Sequence, residues 1–112
     1  MSKAAKDLIH AGILFDMKQA VHEAVANMKD DWFCGFAYVN IDGTSPLAKY
    51  LKKHNLGHKG YPRGFDISVY PFLKGTKHDH TQSMLVKEEA ARAIVRVLAK
   101  YGIVGSMHSR PD

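Results

Sequence analysis

The chain is poor in everything that staples, anchors or links a polypeptide. Among its 112 residues there is one cysteine, Cys34, so no disulfide closes within the chain, and a reducing compartment suits it. Four prolines and nine glycines are scattered rather than clustered, leaving no linker or low-complexity tract, and no internal repeat is present. No apolar run approaches the roughly 20 residues that span a bilayer. Asp7, His10, Asp16 and Lys18 interrupt the N-terminal segment and also spoil it as a signal peptide, so the expected location is cytoplasmic.

Catalytic signatures are equally scarce. The sequence has no His-Glu-x-x-His, no cysteine pair and no Gly-x-Ser-x-Gly elbow, and its glycines match neither the dinucleotide fingerprint nor the phosphate-binding loop. Acid–base work by paired carboxylates also finds no obvious pair, because the 11 acids fall mostly on helix surfaces and ends. Cys34 lies in the most apolar stretch, where a thiol is expected to be inert packing. The expectation is therefore a protein that is not an enzyme and carries no cofactor.

What the chain has is positive charge, concentrated in one third. Residues 1–42 hold four lysines against six acids (−2), residues 43–78 six lysines and Arg63 against Asp66 alone (+6), and residues 79–112 contribute +1 to the net +5. Within the middle third, Lys49 to Arg63 carries five basic residues, two histidines and no acid. Such asymmetry speaks of association with anions rather than of fold.

Periodicity supplies the elements. Apolar residues at three- and four-residue steps from Leu8 to Met28 predict a long amphipathic N-terminal helix over about residues 4–29, with Leu8, Ile9, Ile13, Met17 and Val21 inward. Trp32 to Ile41 is almost wholly apolar or β-branched and predicts a central strand buried on both faces, with Trp32 and Tyr38 as core aromatics. Ser45 caps a helix starting at Pro46, which turns Lys49, Lys52 and Lys53 to water and His54 inward. Phe65, Ile67 and Val69 alternate with polar residues as a strand ending at Pro71. Thr81 or Ser83 caps a strong helix that Gly102 terminates, and Ile103 to Met107 forms a last strand. The expected fold is a single α/β domain over residues 1–112, with α+β as the alternative. It is a two-layer sandwich in the order α-β-α-β-α-β, its three-stranded sheet covered by helices.

Three groups of residues are candidates for chemistry. Lys49, Lys52 and Lys53, continued by His58, Lys59, Tyr61 and Arg63 in a Gly-rich turn, have the composition to track phosphates while Tyr61 stacks on a base; a solvated helix face explains the same residues. Gln82 and Ser83 stand at a helix start, where the dipole favours an anion, and Arg110 has the charge to join them. His78 and His80, with His108, are the poorest candidates, for metal binding: no third ligand stands at a recognisable spacing, and a capping loop accounts for them.

Some of these residues carry a resemblance. Cys34-Gly-Phe-Ala opening an apolar strand, Gly60-Tyr61 with Gly64, Gln82-Ser83-Met84 starting a helix, Tyr101-Gly102-Ile103, and Ser109-Arg110-Pro111-Asp112 are similar to small uncharacterised accessory proteins of tailed bacteriophages. The resemblance covers about residues 32–112 and brings no activity with it. It implies a host-takeover or counter-defence role in the host cytoplasm. The expected function is then a non-enzymatic accessory protein that binds a phosphate-bearing partner through its basic Gly-rich surface: nucleic acid, a nucleoprotein complex or a nucleotide signal. The alternatives are a protein-interaction or inhibitor module that uses the N-terminal helix to hold a host protein or a second copy of the chain, and a His-dependent metal nuclease or phosphoesterase. No membrane partner is expected.

Overall fold

A computed structural model describes residues 2–112. Four helices, α1 (Lys3–Val25), α2 (Pro46–Lys53), α3 (Tyr70–Leu73) and α4 (Met84–Lys100), accompany four strands, β1 (Gly35–Ile41), β2 (Gly57–Lys59), β3 (Phe65–Ser68) and β4 (Ser106–Pro111). The chain is thus mixed α/β, but the sheet has four strands in the order β2-β3-β1-β4, and every pairing is antiparallel. After α1 the order β1-α2-β2-β3-α3-α4-β4 is, apart from the four-residue α3, that of a split βαβ unit.

The strict helix–strand alternation expected from periodicity breaks at one hairpin. β2 pairs with β3 from Gly57↔Ile67 to Lys59↔Phe65, and Gly60 N–H donates to the Gly64 carbonyl at 2.8 Å to close the turn. Gly-His-Lys has no hydrophobic pattern to betray a strand, because its only pairing is at an edge. The last strand lies later than residues 103–107, since β1 offers partners from Asn40↔Ser106 to Gly35↔Pro111. A Met-His-Ser-Arg strand with one apolar residue is what an edge with an open face tolerates.

β1 is central but not buried on both sides. Ala37, Val39 and Ile41 face the core, while Phe36, Tyr38 and Asn40 face the other way and stay partly or fully exposed. Trp32 precedes the strand and is 89% exposed, so it is no core aromatic, and Cys34 is exposed as well. The helices cover one face: α4 packs on β1 and β4, α2 approaches β2, and α1 lies against α4 with α2 and α3 at its flanks. Ala90, Ala91 and Ala93 of α4 are fully buried, and their small side chains let backbones approach closely. α1 runs unbroken through Gly12, and its buried stripe is Ile13, Met17, Val21 and Val25; Leu8 and Ile9, expected inward, are exposed. His54 is also exposed, because α2 ends at Lys53 and His54 is its cap. Its ring leans on Tyr50, 4.4 Å between centroids.

Two caps are as the sequence predicts. Ser45 Oγ accepts from Ala48 N–H, with Pro46 in the first turn of α2, and Ser83 Oγ accepts from Val86 N–H at the start of α4. Gly102 closes α4 with φ +74°.

Ser83 also donates to Asp31 Oδ1 at 2.8 Å and is 1% exposed. Ser83→Ala is expected to lower stability by about 1–2 kcal/mol, cap and buried bond together, measured by urea denaturation. Asp42, in the turn before α2, accepts from the backbone N–H and the hydroxyl of Thr44 at 2.9 and 2.8 Å. These bonds, the backbone one foremost, hold its carboxyl below the usual Asp value. The stabilisation from this contact is full above the unfolded-state value near 3.9 and is lost as pH falls through the lower folded value. A carboxyl titration followed by NMR should show the depressed midpoint, and Thr44→Ala should move it part of the way back.

Candidate ligand-binding cleft

Alternation in the strands determines what the uncovered sheet face presents. β1 contributes Phe36 and Tyr38, β3 Asp66 and Ser68, β2 His58 and β4 Arg110; together with Tyr61, Tyr70, Gln82 and Lys87 they line an open cleft of about 640 Å³. The β2–β3 loop forms one rim and the segment around Tyr70, Thr81 and Gln82 another.

Two cations stand over the Phe36 ring. Lys87 Nζ is 5.2 Å and the Arg110 guanidinium carbon 5.4 Å from its ring centroid, within the range in which a ring quadrupole attracts a cation. Lys87 is held there by donating to the Gly35 carbonyl at 2.9 Å. Two residues further along the strand, on the same face, His108 stacks on Tyr38, centroids 5.5 Å apart and planes 19° from parallel. Phe36 is 44% exposed and Tyr61 95%. A sheet face with stacked aromatics and flanking cations can hold planar rings and the phosphates attached to them.

One acid enters the cleft. Asp66, 8% exposed, accepts from Asn40 Nδ2 at 2.8 Å, and Asn40 also donates to the Arg63 carbonyl at 3.1 Å. His58 Nε2 stands 4.0 Å from the Asp66 carboxylate. Asn40 and Asp66 thereby fasten the base of the loop that carries Tyr61. Gly64, with φ +87°, and Gly60 complete that fastening: a β-carbon on either would come within 3.0 Å of the Asn40 side chain.

The expected site residues separate into four groups. His58, Tyr61, Gln82 and Arg110 line the cleft. Lys52, Lys59 and Arg63 line a smaller pocket of about 340 Å³ with Gly43, Pro62, Gly64 and Phe65. Lys49 and Lys53 are exposed on α2 and line neither. Ser83 is buried in its cap and its bond to Asp31, so it offers nothing to a ligand; a buried capping serine has both oxygen roles already filled.

The three histidines do not converge. His78 is 2% exposed, one ring nitrogen against the Asp30 carboxylate and the other 3.0 Å from the Val25 carbonyl. His80 bonds to the Tyr70 hydroxyl, and His108 lies on Tyr38. Among the described residues no group of three or more His, Cys, Asp or Glu is placed to hold a metal ion, and no helix is long and apolar enough to cross a membrane.

Sequence reasoning missed Phe36, Tyr38, Lys87 and Tyr70. The available signal was the alternation of Ala37, Val39 and Ile41, masked because the alternate positions begin with the aromatic Phe36 and Tyr38. Comparison with protein-family models, with curated proteins and with solved structures finds no match to this chain.

Gly64→Ala would place a methyl group against Asn40 in left-handed backbone. It is expected to cost more than about 1 kcal/mol by thermal or urea unfolding and to loosen the Tyr61 loop.

Proposed function

We propose that this is a non-enzymatic, phage-type accessory protein, acting in host takeover or counter-defence, that binds a phosphate-bearing partner on its open sheet face. Single-stranded nucleic acid, free or within a nucleoprotein complex, is the form the geometry favours; a nucleotide signal is the smaller version of the same chemistry. The observation that carries the reading is Phe36 with Lys87 and Arg110 beside its ring, next to the Tyr38–His108 stack in an open cleft. Aromatic faces left bare on a sheet cost hydrophobic stabilisation unless something covers them. Nucleobases suit them because every base has a π-face, and the adjacent cations suit the backbone.

A specific observation also favours a second reading, a protein-interaction module working through α1. Leu8, Ile9 and Phe15 are 76%, 48% and 64% exposed, and Leu8 and Phe15, two turns apart, share one side of the helix. Such a surface would pair with a host protein or a second copy of this chain through apolar contact, with little dependence on salt.

Fluorescence anisotropy with a labelled oligonucleotide over a range of salt concentrations distinguishes the two. Cleft binding predicts steep weakening as salt rises, with Phe36→Ala or Tyr38→Ala each costing about 1–3 kcal/mol of affinity. Affinity that is flat in salt and indifferent to both substitutions would rule the cleft reading out, and a loss of self-association or partner binding on Leu8→Ser with Phe15→Ser would support the helix.

A further inference from the structure

Strand alternation at the β2–β3 hairpin points successive residues to opposite sides of the sheet. His58 and Asp66, a cross-strand pair, face the aromatic cleft; their neighbours Lys59 and Phe65, the next pair, face the other way. The connecting loop repeats the division, with Tyr61 on the cleft side and Pro62 and Arg63 lining the second pocket. Lys52 reaches the same pocket from α2, and Gly43, where a β-carbon would come within 3.2 Å of the Gly64 backbone, also lines it. Three cationic side chains, all exposed and none within salt-bridge distance of an acid, thus converge on about 340 Å³. Of the carboxylates near this end of the sheet, Asp66 faces the opposite side and accepts from Asn40, and Asp42, beside Gly43, accepts from the N–H and hydroxyl of Thr44.

We propose that the Lys52–Lys59–Arg63 pocket is a phosphate subsite for the continuation of a polynucleotide strand whose bases stack in the cleft. It rests on the cleft reading and deepens it by assigning the ligand's length. A phosphate carried by a nucleotide in the cleft lies on the wrong side of the hairpin to reach the pocket, so only a chain of several nucleotides occupies both. β2 is three residues long and stands at the sheet edge, so no further strand of the sheet lies beyond the hairpin. The pocket recognises charge and not bases: it holds three cations and no exposed aromatic ring. The strand is accordingly gripped at one end by stacking and at the other by charge.

The test uses the full chain with fluorescein-labelled dT12 and U12, the two arms separating DNA from RNA as the source of the strand. Removing Lys52, Lys59 and Arg63 together by alanine substitution should weaken binding to the preferred oligomer at least about tenfold and reduce the slope of log affinity against log salt by about 2, as expected for three phosphate contacts on a single strand. A second triple variant, Lys74→Ala with Lys77→Ala and Lys100→Ala, removes the same charge from exposed positions outside both cavities and should change the slope by much less. Equal effects of the two triple variants would mean diffuse attraction and overturn the subsite. If Phe36→Ala and Tyr38→Ala weaken binding while the pocket variant does not, the subsite is overturned and the cleft reading stands. If neither oligomer binds the unmodified protein, both are overturned. Circular dichroism of each variant confirms that the exposed substitutions leave the fold intact.

Discussion

The rest of the structure depends on the seam where the chain leaving α1 meets the chain entering α4. His78, buried with both ring nitrogens engaged, ties the Val25 carbonyl at the end of α1 to Asp30 five residues later. Ser83 binds Asp31, Gly35 N–H donates to the Gln82 carbonyl, and Met84 N–H donates to the Phe33 carbonyl. A buried polar group left unpaired costs more than a formed bond returns, so these contacts hold together or fail together. Their collective effect is a register: β1 must begin at Gly35 and α4 at Met84. Because Lys87 is one turn into α4 and Phe36 one residue into β1, the seam also determines that the ammonium meets the ring.

The core follows from that register. α4 turns small residues toward its neighbours, so α1 and the sheet approach it on different sides. The strands bury Val39, Ile41, Phe65 and Ile67 on the helix side. With all helices spent on one face, the other face is left with whatever the alternate positions carry, and here they carry aromatic rings and cations. Site and core are consequences of one alternation.

How much of this was legible in the sequence differs element by element, for physical reasons. The helices were readable because capping and periodicity are local: Ser45-Pro46, Ser83 and Gly102 act where they stand. The long N-terminal helix was readable in place but not in its facing, since Leu8 and Ile9 resemble core residues and yet stand exposed. β2 and β4 were hidden because an edge strand with an open face needs few apolar residues; what makes them strands is their partner. The basic stretch was visible as charge, yet its division into a cleft side and a pocket side required the hairpin. Phe36 and Tyr38 were read as core because an aromatic residue in a strand does not announce which face it takes. Ser83 was read as a ligand donor because a cap and a phosphate contact use the same hydroxyl, and only burial distinguishes them.

A sheet that leaves one face bare and aromatic risks pairing with its own kind, and the two edges of this one answer that risk differently. β2 offers only three residues to an incoming strand and carries Lys59 among them. β4 is longer, but Pro111 removes a donor from it, and the Arg110 guanidinium would crowd a like charge against a second copy aligned beside it. Neither border of the sheet is a good template for growth, so the open face can stay uncovered without the molecule being drawn into fibres edge to edge.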